Sequence, residues 1–169
     1  PIGLAIADFN EDGIPDLAVA NGESSTVGVL LGVGDGTFQS QVTYGTASFP
    51  EGVSVGDFNG DGNMDLVVSN NGSNSVGVLL GQGDGTFKRP AIFNSGGQTS
   101  VGVAVGDFNR DGWVDIAVAN CGISACNGTQ VGVTGVLLNN TGVATKTSLT
   151  SSLNPSVEGQ AVVFTAAVT

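Results

Sequence analysis

Along the chain, runs of four to seven apolar and β-branched residues alternate with short clusters of Gly, Asn and Asp, which predicts strands joined by tight turns. Helix is nearly excluded. The pattern also repeats: Val55-Gly-Asp-Phe-Asn59 returns as Val105-Gly-Asp-Phe-Asn109, and Ile6-Ala-Asp-Phe-Asn10 is the same unit. Downstream, Val27-Gly-Val-Leu-Leu-Gly32 matches Val76-Gly-Val-Leu-Leu-Gly81, with a degraded third copy at 133–138. Gly34-Asp-Gly-Thr-Phe38 matches Gly83-Asp-Gly-Thr-Phe87, and the third repeat lacks this motif.

Each repeat reads as four short strands, expected in the second repeat over 52–58, 66–69, 76–81 and 86–93. The Gly-Asp-Gly segments at 34–36 and 83–85 are hairpin signals, so Asp35 and Asp84 are assigned to the turns. Four antiparallel strands recurring every 40 to 50 residues are the pattern of a β-propeller, whose sheets bury their faces against one another. The expected fold is all-β: a partial β-propeller of three four-stranded antiparallel blades plus a C-terminal strand pair. The blades are expected at residues 1–49, 50–99 and 100–143. Residues 144–169 form a linker and two further strands, expected over 145–149 and 161–168 with a turn at Asn154-Pro-Ser. A closed ring usually needs at least four blades, so the chain is expected to be a piece of a longer one, or to have its open edges covered by another chain.

Charge sharpens this picture. The net charge is −11, with 15 Asp and Glu against 4 Lys and Arg, and no basic patch exists to hold a nucleic acid. Nine of the 11 Asp lie in three nine-residue windows, a concentration that solubility alone does not require. The absence of His removes the commonest general base and zinc ligand. No stretch is long and apolar enough for a membrane helix, so no membrane insertion is expected. Cys121 and Cys126, in a Gly-, Ser- and Asn-rich loop, are read as a small loop-closing disulfide, which points outside the cytosol.

The three windows have the form Asp-Phe-Asn-x-Asp-Gly-x-x-Asp: Asp8 to Asp16, Asp57 to Asp65 and Asp107 to Asp115. Oxygen donors at positions 1, 3 and 5 can face a common centre when the backbone curls round it. The Gly at position 6 permits the turn, position 7 can offer its carbonyl, and position 9 adds a carboxylate. Such a set suits calcium, a hard cation taking 6 to 8 oxygens, better than softer metals. The likeness to an EF-hand is partial, because Val19, Val68 or Val118 stands where the bidentate Glu would be and strands flank the loop. Phe9, Phe58 and Phe108, after the first Asp, are read as core residues.

These loops, three copies at a near-constant spacing over roughly residues 1–140, resemble those of FG-GAP repeats, also called VCBS-type repeats, of integrin α-subunit propellers and many bacterial surface proteins. The resemblance implies a seven-bladed propeller with calcium in certain hairpins. It carries ligand roles to Asp8, Asn10, Asp12 and Asp16, to Asp57, Asn59, Asp61 and Asp65, and to Asp107, Asn109, Asp111 and Asp115, with carbonyls from Ile14, Asn63 and Trp113. About three Ca²⁺ per chain follow. The tail resembles the opening strands of bacterial immunoglobulin-like repeats.

The function expected is a non-catalytic structural or adhesive module of a secreted or cell-surface protein, with other modules of the same or neighbouring chains as partners. One rival is a lectin-like or enzyme-accessory propeller binding glycans, in which Trp113 would stack on sugar. Another is a subunit of a homo-oligomer or extracellular filament joined through open strand edges. Catalysis is not expected, since three near-identical acidic sites without His suit scaffolding better. Asn71, Asn127 and Asn139 lie in glycosylation sequons, a motif common by chance in such a chain.

Overall fold

The computed structural model of the chain describes residues 1–122, 133–140, 143–151 and 164–168, with side chains over 1–122 and 133–139. The described residues form three antiparallel sheets and contain no α-helix. The first sheet runs β1 (Leu4–Ala7), β2 (Asp16–Asn21), β3 (Thr26–Leu30) and β4 (Val42–Gly45), each strand beside its sequence neighbour. The second has the same order in β5 (Pro50–Gly56), β6 (Asp65–Asn70), β7 (Ser75–Leu79) and β8 (Ala91–Asn94). In the third, β9 (Ser100–Gly106), β10 (Asp115–Asn120) and β11 (Val133–Asn140) come from the repeat. The sheet is continued by the tail strands β12 (Val143–Ser151) and β13 (Phe164–Val168).

The all-β reading and the three repeated sheets agree with the sequence, and two details differ. The tail strands sit on the third sheet, where β12 pairs with β11 from Thr134–Leu149 to Asn140–Val143, in the fourth place that β4 and β8 hold in theirs, and β13 lies beyond it. The fourth strand of the second repeat begins at Ala91 rather than at residue 86. Before it, the Gly-Asp-Gly turn closes a small hairpin of its own, with Gln82 N donating to Thr86 O (3.0 Å) and Lys88 N to Leu80 O (2.8 Å). Pro90, which has no amide to give a ladder, separates that hairpin from β8.

The cores lie between sheets. Phe9, Ala18, Val27 and Val29 of the first sheet region meet Leu66, Val68, Leu79 and Phe87 of the second. Phe58, Val67 and Val76 meet Ile116, Val118 and Leu137 of the third. Successive side chains of a strand point to opposite faces, so Leu66 and Val68 serve one core and Val67 the other. Every residue of β6 is therefore buried. Phe9 and Phe58 are core residues as expected, but Phe108 is 52% exposed, because it lies on the outward face of the third sheet. At the other end, Leu4 and Ile6 stand where Val53 and Val55 stand one repeat later, and they are 60% and 61% exposed.

Removing a buried side chain that touches one core should expose this arrangement. Leu66→Ala is expected to cost about 2–5 kcal/mol in urea unfolding. Ile92→Ala, at a side chain 48% exposed on β8, should stay within about 0.5 kcal/mol of the parent. Equal losses at the two positions would contradict a core between sheets.

Candidate metal loops

The three Asp-rich segments are the turns from β1 to β2, β5 to β6 and β9 to β10. Each is wound by its own side chains. In the first, the Asp8 carboxylate accepts from the amides of Asp12 (3.2 Å) and Gly13 (2.8 Å), and Asp12 accepts from Ile14 N (2.8 Å). Asn10 accepts from Asp12 N (3.3 Å) and donates Nδ2 to Asp12 Oδ2 (2.8 Å). In the second, Asp57 accepts from Gly60, Asp61 and Gly62, Asn59 from Asp61, and Asp61 from Asn63. In the third, Asp107 accepts from Asp111 and Gly112, Asn109 from Asp111, and Asp111 from Trp113. The structure thus draws positions 1, 3 and 5 of each loop together, with the position-7 amide bonded to position 5.

Two positions in each loop are left-handed. Gly13, Gly62 and Gly112 at position 6 have φ of 81, 89 and 90°, as the sequence predicts. Position 4 has it too: Glu11 at 60°, Gly60 at 72° and Arg110 at 62°. For Glu11 and Arg110 this conformation costs energy, which the amide bonds to positions 1 and 3 offset. The only signal of it in the sequence is the Gly at 60.

Position 9 behaves differently. Asp16, Asp65 and Asp115 are fully buried and open the second strand of each sheet. Asp16 Oδ2 accepts from Phe9 N (2.8 Å) and Oδ1 from Gly32 N (2.7 Å). Asp65 accepts from Phe58 N and Gly81 N (both 2.8 Å), and Asp115 from Phe108 N (2.9 Å) and Asn139 N (2.7 Å). Each carboxylate ties the loop to the end of the third strand, a role that reading the chain by ligand spacing alone does not reveal. Burial pushes the Asp65 carboxyl above the usual range, opposed by the Gly81 and Phe58 amides. Asp61 is held below it by the Asn63 amide and then the Asn59 side chain. Asp35 and Asp84 are also held low, each by the hydroxyl and amide of Thr37 or Thr86, as turn residues should be.

The donors fit a hard cation, since every side-chain group that could face one is a carboxylate or amide oxygen. Among the described residues no three acidic or thiol side chains already gather round one point. The loop oxygens are instead engaged with the loop's own amides, and each keeps further lone pairs. Trp113 is half-buried, and its ring lies against Gly60 of the second loop, where a side chain would not fit. Asn71 lies in a 3-10 turn (Asn71–Ser73). The Asn139 side chain donates to Phe58 O (2.6 Å), so it is engaged in packing. Cys126 and Asn127 lie outside the described residues, and Cys121 follows β10 with its amide donating to Thr99 O (3.0 Å).

The two kinds of aspartate should separate in excess chelator. Asp65→Ala leaves two buried amides unpaired, and a loss on the order of 2–6 kcal/mol is expected in urea unfolding. Asp61→Ala should leave the unfolding midpoint close to the parent's without divalent ions, because its partners are exposed to water. An Asp65→Ala midpoint unchanged in chelator would refute the structural role of the buried carboxylate.

The sequence profile described as FG-GAP-like repeat matches the chain at residues 8–68 and again at 65–118. No match was found among curated proteins. The two matched segments start at the first loop and end within β10, together spanning well over half of the chain and taking in all three Asp-rich turns. The chain therefore belongs to the FG-GAP-like repeat family.

Proposed function

We propose that the chain is a calcium-stabilised structural or adhesive repeat module of a secreted or cell-surface protein, without catalytic activity. The observation that carries this reading is the same oxygen set, wound in the same way, at three equivalent strand junctions. The ligands would be the side chains of positions 1, 3 and 5, the carbonyls of Ile14, Asn63 and Trp113, and the lone pairs that Asp16, Asp65 and Asp115 keep after their backbone bonds. Three Ca²⁺ would bring the net charge from −11 to −5. Membership in the family supports a structural or adhesive role. Among the described residues no helix is long and apolar enough to cross a membrane.

A cation that binds only the folded loops stabilises the fold by linkage, about 1.4 kcal/mol per site at ten times the dissociation constant. Three sites filled to that level would raise Tm by roughly 10 °C. The contact of Trp113 with Gly60 occupies part of its ring and counts against the glycan-stacking alternative. The uncovered apolar positions Leu4 and Ile6 at one end and Phe108 at the other favour contact with further repeat modules, of the same or a neighbouring chain. Cys121 and Cys126, five positions apart, are proposed as a loop-closing disulfide.

Native mass spectrometry of the chelator-stripped and calcium-loaded protein reads these proposals together. About three calcium ions per chain, a gain of roughly 2 Da on reduction and concentration-dependent oligomers are expected. A melting curve indifferent to calcium, with no ion bound, would remove the metal from this reading.

A further inference from the structure

The two cores between sheets are built to one register, and one of the differences between them opens a space. In the first, the Gly83–Phe87 hairpin carries the Phe87 ring into the space beside Phe9 and Tyr44. The ring stands edge-on to both, at centroid distances of 5.4 and 5.6 Å. Gly85 N of the same hairpin donates to Phe9 O (2.9 Å). One repeat later, Phe58 and Phe93 hold the places of Phe9 and Tyr44: Val76 faces Phe93 across β7 and β8 as Val27 faces Tyr44 across β3 and β4. The third repeat has no Gly-Asp-Gly-Thr-Phe segment, and Asn140 at the end of β11 already pairs with Val143 of β12. The Asn139 side chain donates to Phe58 O (2.6 Å), so the hydrogen bond is replaced, while among the described residues no further ring takes the place of Phe87.

What remains is a groove of about 580 Å³ with Phe58, Val78, Phe93, Ile116 and Leu137 among its walls. Its rim carries Lys88 and Arg89, two of the four basic residues of a chain with net charge −11. At the same places in the first repeat stand Gln39 and Ser40, which are neutral. Along one side runs β8, which among the described residues is the outer strand of its sheet, with an edge that can take an extended segment. An apolar slot lacking its ring, two cations and an open strand edge define one kind of occupant.

We propose that this groove binds an acidic peptide segment that presents a phenylalanine, its ring in the place Phe87 fills in the first core and its carboxylate toward Lys88 and Arg89. The chain's own motif supplies the probe: a capped, fluorescently labelled peptide with the sequence of residues 31–40, which carries one Asp and one Phe. Anisotropy titration into the full chain should show saturable binding. Replacing the peptide's Phe by Ala should weaken binding at least tenfold. Replacing its Asp by Asn should weaken it several-fold and flatten its salt dependence. In the protein, Lys88→Glu with Arg89→Glu should weaken binding at least tenfold, and Ala91→Trp, at an exposed position on β8, should block it while circular dichroism is unchanged. No binding at millimolar peptide, or equal binding of the peptide without Phe, overturns the proposal.

Discussion

The buried carboxylate that opens β2, β6 and β10 is the interaction on which the rest of each sheet depends. A charge in a dry interior is costly unless its oxygens are hydrogen-bonded, and here each oxygen receives a backbone amide. One amide belongs to the Phe at the start of the loop and the other to the end of the third strand. A single side chain thus closes the loop, fixes where the second strand begins and holds the third strand in register. The exposed Asp and Asn of the same loop are left free of these duties, so the proposed cation would draw on them without the sheet losing its frame.

That frame does not enclose a core by itself. The middle sheet shows one apolar face to the first sheet and the other to the third, so β6 is buried along its whole length while β1 is not. The interface aromatics follow the same logic, since Phe9 and Phe58 face the next sheet and Phe108 has none to face among the described residues. Phe108 is exposed for a positional reason and not for a chemical one.

Much of this was legible in the chain. The repeated Asp-Phe-Asn units located the loops, and the following Leu- and Val-rich runs located the strands that they join. The Gly-Asp-Gly turns were legible as well, because positive φ selects Gly so strongly. What escaped the sequence is non-local or steric. Nothing near Asp65 announces that its partners are amides 7 and 16 residues away. The left-handed backbone at Glu11 and Arg110, and at Phe49 and Thr99 before β5 and β9, goes against side-chain preference and is imposed by the surroundings. The pairing of β12 with β11 depends on a sheet edge that no local pattern in 143–151 names.

Because the cores lie between sheets and share one register, the natural unit of change in this chain is a whole repeat. Inserting or deleting about fifty residues keeps every remaining face opposite one built to the same register, whereas a cut inside a repeat orphans a strand and a buried carboxylate together. Repeat number can therefore drift with adjustment confined to the junction, and local sequence drift is free to act on rims and edges.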